Sequence, residues 1–178
     1  MREVLFRGKR TDNGEWVEGF YVKFYSNGGS NPNYMIFTID EQNRSSQPYA
    51  IDAETVCRYV GMHDGTKWEQ LSKIEQDKFL SEWNLDKNRQ NIKEDWCGRK
   101  VFEGDIVKYH FGEDVAPVKF GSYQSCFDSQ RTEHCGFYVA WNGDRNLRKD
   151  LGYWIHMVDA KIIGNIFDNP ELLEGGRS

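Results

Sequence analysis

Glu18-Gly19-Phe20-Tyr21-Val22-Lys23-Phe24 and Glu103-Gly104-Asp105-Ile106-Val107-Lys108-Tyr109 repeat one phrase in the two halves of the chain. Each copy pairs an acidic residue with a glycine, alternates for several positions and ends in a lysine and an aromatic. Alternation at period two marks a strand whose two faces meet different environments. Both phrases therefore predict strands opened by a Glu-Gly pair, and the fold class that follows is mainly β.

Working outward from the first copy, Val4-Leu5-Phe6-Arg7 and Glu15 to Val22 form the arms of a hairpin, with Thr11-Asp12-Asn13-Gly14 as the turn. Asn-Gly supplies the positive φ that such a turn requires. Turn-forming residues from Ser26 to Asn33 lead to a strand at Tyr34 to Ile39, and Ile51 to Tyr59 completes a first module over residues 1–66. Residues 67–96 read as a helical insertion. Ser72-Lys73-Ile74-Glu75 is a capping box, and the helix it starts runs to about Trp83 with Phe79, Leu80 and Trp83 on one face.

Around the second copy, strands are expected at Asp105 to Phe111, Ala116 to Gly121, Gly136 to Trp141, Gly152 to Met157 and Lys161 to Phe167. Five short strands in one small module, residues 97–170, predict a barrel or roll, which protects its edges by closing on itself. Asn169-Pro170-Glu171 starts a terminal helical turn with Asn as cap and Pro in the first position, and residues 171–178 form a frayed tail. The recurrence of glycine and aspartate before each Glu-Gly also admits a duplication of one strand-turn-strand unit, against the alternative that turns reuse these residues for local reasons.

Aromatic residues make up 15% of the 178 positions against 38% hydrophobic overall, so large rings carry much of the core. A formal net charge of -5 disfavours an extensive phosphate-binding face, although a local basic patch can sit within an acidic average. The chain carries no apolar run of signal-peptide or membrane-span length, which points to a cytoplasmic protein with no membrane partner. Cys57, Cys97, Cys126 and Cys135 are scattered as reduced thiols would be, not clustered as a disulfide framework.

Three stretches resemble the YopX family of bacteriophages and prophages. They are Tyr59-Val60-Gly61-Met62-His63-Asp64, then Gly98-Arg99-Lys100-Val101-Phe102-Glu103-Gly104-Asp105-Ile106-Val107, and Ile163-Gly164-Asn165-Ile166-Phe167-Asp168-Asn169-Pro170-Glu171-Leu172-Leu173. The opening Leu5-Phe6-Arg7-Gly8-Lys9-Arg10 is similar as well. The resemblance implies a β-rich protein of a bacterial host cell whose C-terminal part is an SH3-like barrel. It implies no settled activity, and no site residue carries over from it. Lys67 to Trp96 depart from the family pattern, in which the Gly-x-x-Asp turn runs almost directly into the Glu-Gly-Asp strand.

Chemistry-bearing constellations are sparse. Cys126, His134 and Cys135 lie close together but lack the paired spacing of a zinc site, and adjacent strand residues face opposite ways, so no metal is expected. Cys97 with His63 or His156 lacks any local support as a nucleophile and base. Glu103 and Asp105 could share a strand face as an acid-base pair, yet Glu-Gly-Asp reads more simply as a turn. Phosphate-binding loops and nucleotide-cofactor fingerprints are absent, so no catalytic residue and no cofactor is assigned.

Binding remains. The face of Phe79, Leu80 and Trp83 either covers its own sheet or forms a protein interface, and the leading expectation is a non-enzymatic accessory protein that binds itself or another protein. The alternative is a single-stranded nucleic-acid binder that uses Trp141, Arg145, Arg148 and Lys149 on the second module.

Overall fold

A computed structural model describes residues 4–26, 29–40, 45–82, 95–108, 114–124, 129–130, 132–141 and 148–174. The chain divides into two compact units, residues 1–60 with 102–104, and residues 61–101 with 105–178. The described part of the helical segment belongs to the second unit.

In the first unit, β1 (Phe6–Lys9) and β2 (Trp16–Tyr25) form the expected hairpin, with Phe6 opposite Gly19 and Lys9 opposite Trp16. Gly14 takes φ 74° in the turn, and its amide donates to the Arg10 carbonyl at 3.0 Å. β3 (Pro32–Asp40) pairs with the outer half of β2, and β4 (Ser45–Ala50) pairs with β3 at the edge of the sheet. The strand order is β4-β3-β2-β1-β5-β6, where β5 is Cys57–His63 and β6 is Lys100–Phe102. Ile36, Ile51, Cys57 and Phe102 are buried, and the Arg7 guanidinium lies 4.6 Å from the centre of the Phe102 ring.

The two copies of the repeated phrase do different jobs. Glu103-Gly104 turns the chain between β6 and β7 (Asp105–Lys108), with Gly104 at φ 83° as the sequence predicts. Glu18-Gly19 instead lies in the middle of β2 and opens nothing. Gly19 is required there by crowding, because a Cβ would stand 2.2 Å from the Phe37 carbonyl oxygen.

The described residues of the second unit carry a four-stranded antiparallel sheet in the order β10-β7-β8-β9, which fits the small β module expected, although these strands do not close into a barrel. β8 is Val115–Gln124, β9 is Glu133–Val139 and β10 is Lys161–Asn165. The strand expected at Gly152 to Met157 is a helix, α2 (Leu151–His156), following α1 (Lys73–Glu82). Leu151, Trp154 and Ile155 are all buried, at the spacing of three and four that a helix uses to bury one face. Asp159 ends that excursion at φ 58°, and the Ala160 amide returns to the Trp154 carbonyl at 2.9 Å. Pro170–Leu173 forms the expected terminal turn as a 3-10 helix with Pro170 at its start, but the Asn169 side chain makes no capping bond to it.

The capping box of α1 is formed. Glu75 accepts the Ser72 amide at 2.8 Å and the Ser72 hydroxyl at 2.7 Å, while the Glu75 amide donates to that hydroxyl at 3.3 Å. Phe79 of α1 packs edge-on against Trp68 and Trp96, with ring centres 5.6 and 5.1 Å away, and Leu80 is only 8% exposed. These two residues thus cover their own unit. Trp83, the third member of the expected interface, lies outside the described residues.

Candidate protein-binding surface

The residues that carry the family resemblance build a scaffold within the second unit. Asp64, 2% exposed, accepts four hydrogen bonds. Oδ1 takes the amides of Thr66 at 3.0 Å and Arg99 at 2.9 Å, and Oδ2 takes the Thr66 hydroxyl at 2.7 Å and the Ile162 amide at 3.2 Å. One carboxyl therefore joins a turn, the strand entering β6 and β10. Gly98, at φ 101°, permits this approach, since a Cβ there would lie 1.8 Å from the Asp64 carbonyl oxygen. The Arg99 side chain reaches Glu75 of α1, with Nε at 3.0 Å and Nη2 at 2.9 Å from the same oxygen. Burial pushes the Glu75 carboxyl up, but bonds from Ser72 and the Arg99 charge outweigh it and hold Glu75 below its ordinary value.

The third matching stretch is a locked turn. Asn165 Oδ1 accepts the Phe167 and Asp168 amides at 2.9 and 3.0 Å, and the Asn169 amide donates to the Asn165 carbonyl at 2.9 Å. Gly164 fits beneath it, where a Cβ would meet Asn169 Oδ1 at 2.5 Å. The resemblance thus rests on residues whose visible work is architectural.

A cleft of about 500 Å³ opens beside Asp64 and brings together three groups far apart in sequence, His63, Cys97 and His156. Its two carboxylates are already engaged. Asp64 holds the bonds above, and Asp159 Oδ1 receives Lys161 Nζ at 2.7 Å. Among the described residues no group of three or more His, Cys, Asp or Glu is placed to hold a metal ion. His134 and Cys135 are neighbours on β9, and Cys126 lies outside the described residues.

The alternative nucleic-acid constellation does not assemble as expected. Trp141 is 8% exposed and packs edge-on against Trp154 with ring centres 4.7 Å apart, so it is core and offers no face to a base. Arg148 lies over the Tyr153 ring and pairs with Asp150, Lys149 is half-buried, and Arg145 lies outside the described residues.

An open apolar surface exists elsewhere, on the first unit's sheet. From Phe20 onward, alternate residues of β2 put Phe20, Val22 and Phe24 on one face, and these are 39%, 38% and 38% exposed. Register sets Phe37 opposite Phe20, Met35 opposite Val22, Pro48 opposite Phe37 and Ala50 opposite Met35. Seven apolar residues on three adjacent strands thus form one patch, and Lys23 lies on the reverse face with Tyr34. The alternation in β2 is legible in the sequence. Which face stays open is not, because both faces carry aromatic residues.

No helix of the described residues is long and apolar enough to cross a membrane. No curated protein matches the chain. Residues 92–174, a stretch that contains the Gly98-Arg99 strand entry and the Asn165 turn, match the model of the family described as YopX protein, to which this part of the chain is similar.

Proposed function

We propose that this is a non-enzymatic accessory protein of a phage or prophage that works in the host cytoplasm by self-association. A second copy of the chain packs its outer sheet face against the first. The observation that carries the reading is the uncharged apolar patch of Phe20, Val22, Phe24, Met35, Phe37, Pro48 and Ala50. Such a patch exposes on the order of 400 Å², as large as the functional patches of ordinary monomers. Two of them, with a polar rim, bury about 1,200 Å², where specific interfaces begin.

A second copy suits the face because a flat, uncharged surface matches itself under a two-fold axis, as sheets do when they stack. Edge-to-edge growth is the poorer route, since the edge strand β4 carries Pro48, which lacks a ladder donor.

Light scattering over a concentration series tests this, with Val22→Lys and Phe24→Lys in parallel. The expected result is a dimer that both variants convert to a monomer without loss of circular dichroism. A monomer throughout the series, or a dimer indifferent to both charges, overturns it.

A further inference from the structure

We infer that the β8–β9 sheet of the second unit carries a binding site for exposed bases of single-stranded nucleic acid. The site differs in position and chemistry from the sheet face of the first unit and stands or falls without it.

Tyr123 stacks between His134 and Tyr138, with ring centres 5.5 and 5.4 Å apart and planes inclined by 26° and 25°. The register explains the row. Tyr123 faces His134, Lys119 faces Tyr138, and between these pairs Gly121 faces Gly136. Two opposed glycines leave the sheet without side chains at that level, and the rings lean over the gap. A Cβ on Gly121 would already touch the Tyr138 ring at 3.8 Å.

Tyr123 is stacked on both sides, so the faces left for a base are the outer ones of the exposed His134 and of Tyr138, and such π-faces accept any base. One cation flanks the row: Lys119 is exposed on the same face as Tyr138. Asp150 bridges Tyr138 and is paired with Arg148. Glu133 alternates to the opposite face from His134.

This complementarity of stacking faces and positive charge fits a phosphate-linked aromatic ligand, and an open sheet admits an unpaired strand whose bases are free. In a duplex the bases already stack on each other, so a duplex cannot use the rings.

The test is fluorescence anisotropy with labelled oligothymidine and oligouridine of about 12 nucleotides, a length within the usual site range. Saturable binding at low salt is expected, at least tenfold tighter than to a duplex of the same length. His134→Ala and Lys119→Ala, both exposed substitutions that spare the fold, should each weaken it about fivefold or more. The slope of log affinity against log salt should be about -0.7 for one neutralised phosphate and approach zero in Lys119→Ala. Absence of binding to either oligomer, equal affinity for the duplex, or affinity unchanged in both variants overturns the site.

Discussion

The amide of Asp64 donates to the carbonyl of Arg99 at 2.8 Å, and the amide of Arg99 donates back to the Asp64 carboxyl at 2.9 Å. Two residues 35 positions apart are thereby clamped to each other through backbone and side chain together. The intervening segment can be long because its two ends are fixed here. That reconciles the Gly-x-x-Asp turn and the Gly-Arg strand entry with everything inserted between them.

Asp64→Asn removes one acceptor and places amide hydrogens against the donors of Thr66, Arg99 or Ile162. A buried donor left unsatisfied costs about 1–3 kcal/mol, so a loss of roughly 2–4 kcal/mol in urea unfolding is expected. A loss below about 0.5 kcal/mol would place Asp64 among ordinary surface substitutions and refute the clamp.

Gly98→Ala attacks the same clamp from its other side. The new methyl group would stand 1.8 Å from the Asp64 carbonyl oxygen on a backbone at φ 101°, so the strand entry must move. Expression of folded protein should fall sharply, with native-state hydrogen exchange rising first at Thr66, Arg99 and Ile162. Gly14→Ala provides the comparison, since Gly14 also has positive φ but nothing within 4 Å of its Cβ position. It should cost only the backbone strain of about 1 kcal/mol.

Local chemistry explains what was legible in the sequence. The Asn13-Gly14 hairpin and the Ser72-to-Glu75 box depend on residues a few positions apart, and both are present as read. β4 was missed because Ser45-Ser46-Gln47-Pro48 lacks strand formers, and only the edge position beside β3 makes Pro48 tolerable. Gly152 to Met157 was misread because Tyr153, Trp154 and Ile155 favour strands locally. Burial of Leu151, Trp154 and Ile155 together overrides that preference. The ladder of Tyr123, His134 and Tyr138 depends on a register between strands that no single stretch reveals. The same holds for the meeting of His63, Cys97 and His156.

Glu75 gives the helical segment a pH dependence. Its carboxyl titrates below its ordinary value when folded, so the unfolded chain binds the proton more tightly and folding favours the ionised form. The stabilisation is complete above the unfolded carboxyl range, near pH 5 and higher, and is lost as pH falls through the lower folded value. Both partners are partly exposed, which limits the ion pair to about 0.5–1 kcal/mol. Thermal unfolding of Glu75→Gln should therefore fall below wild type at pH 7 and converge with it near pH 3. A constant difference across that window would assign the effect to the neutral bonds with Ser72 alone.

Trp96 separates packing from hydrogen bonding at the joint between segment and sheet. Its indole nitrogen donates to the Thr66 carbonyl at 2.7 Å, while its ring meets Trp68 and Phe79 edge-on with centres 6.0 and 5.1 Å away. Trp96→Phe keeps much of the ring contact and loses the bond, for an expected cost of about 1–2 kcal/mol. Phe79→Ala leaves the bond and removes the ring that touches both indoles, for an expected cost of about 3 kcal/mol, because the cavity cannot close without moving two tryptophans. Neither substitution should alter the native mass, since both residues pack within the second unit and the proposed association surface lies on β2 and β3 of the first. A folded Phe79→Ala protein whose oligomer dissociates would return the interface to α1. Retention of the oligomer with lowered stability is the expected result, and it would leave the Val22 face as the surface to pursue.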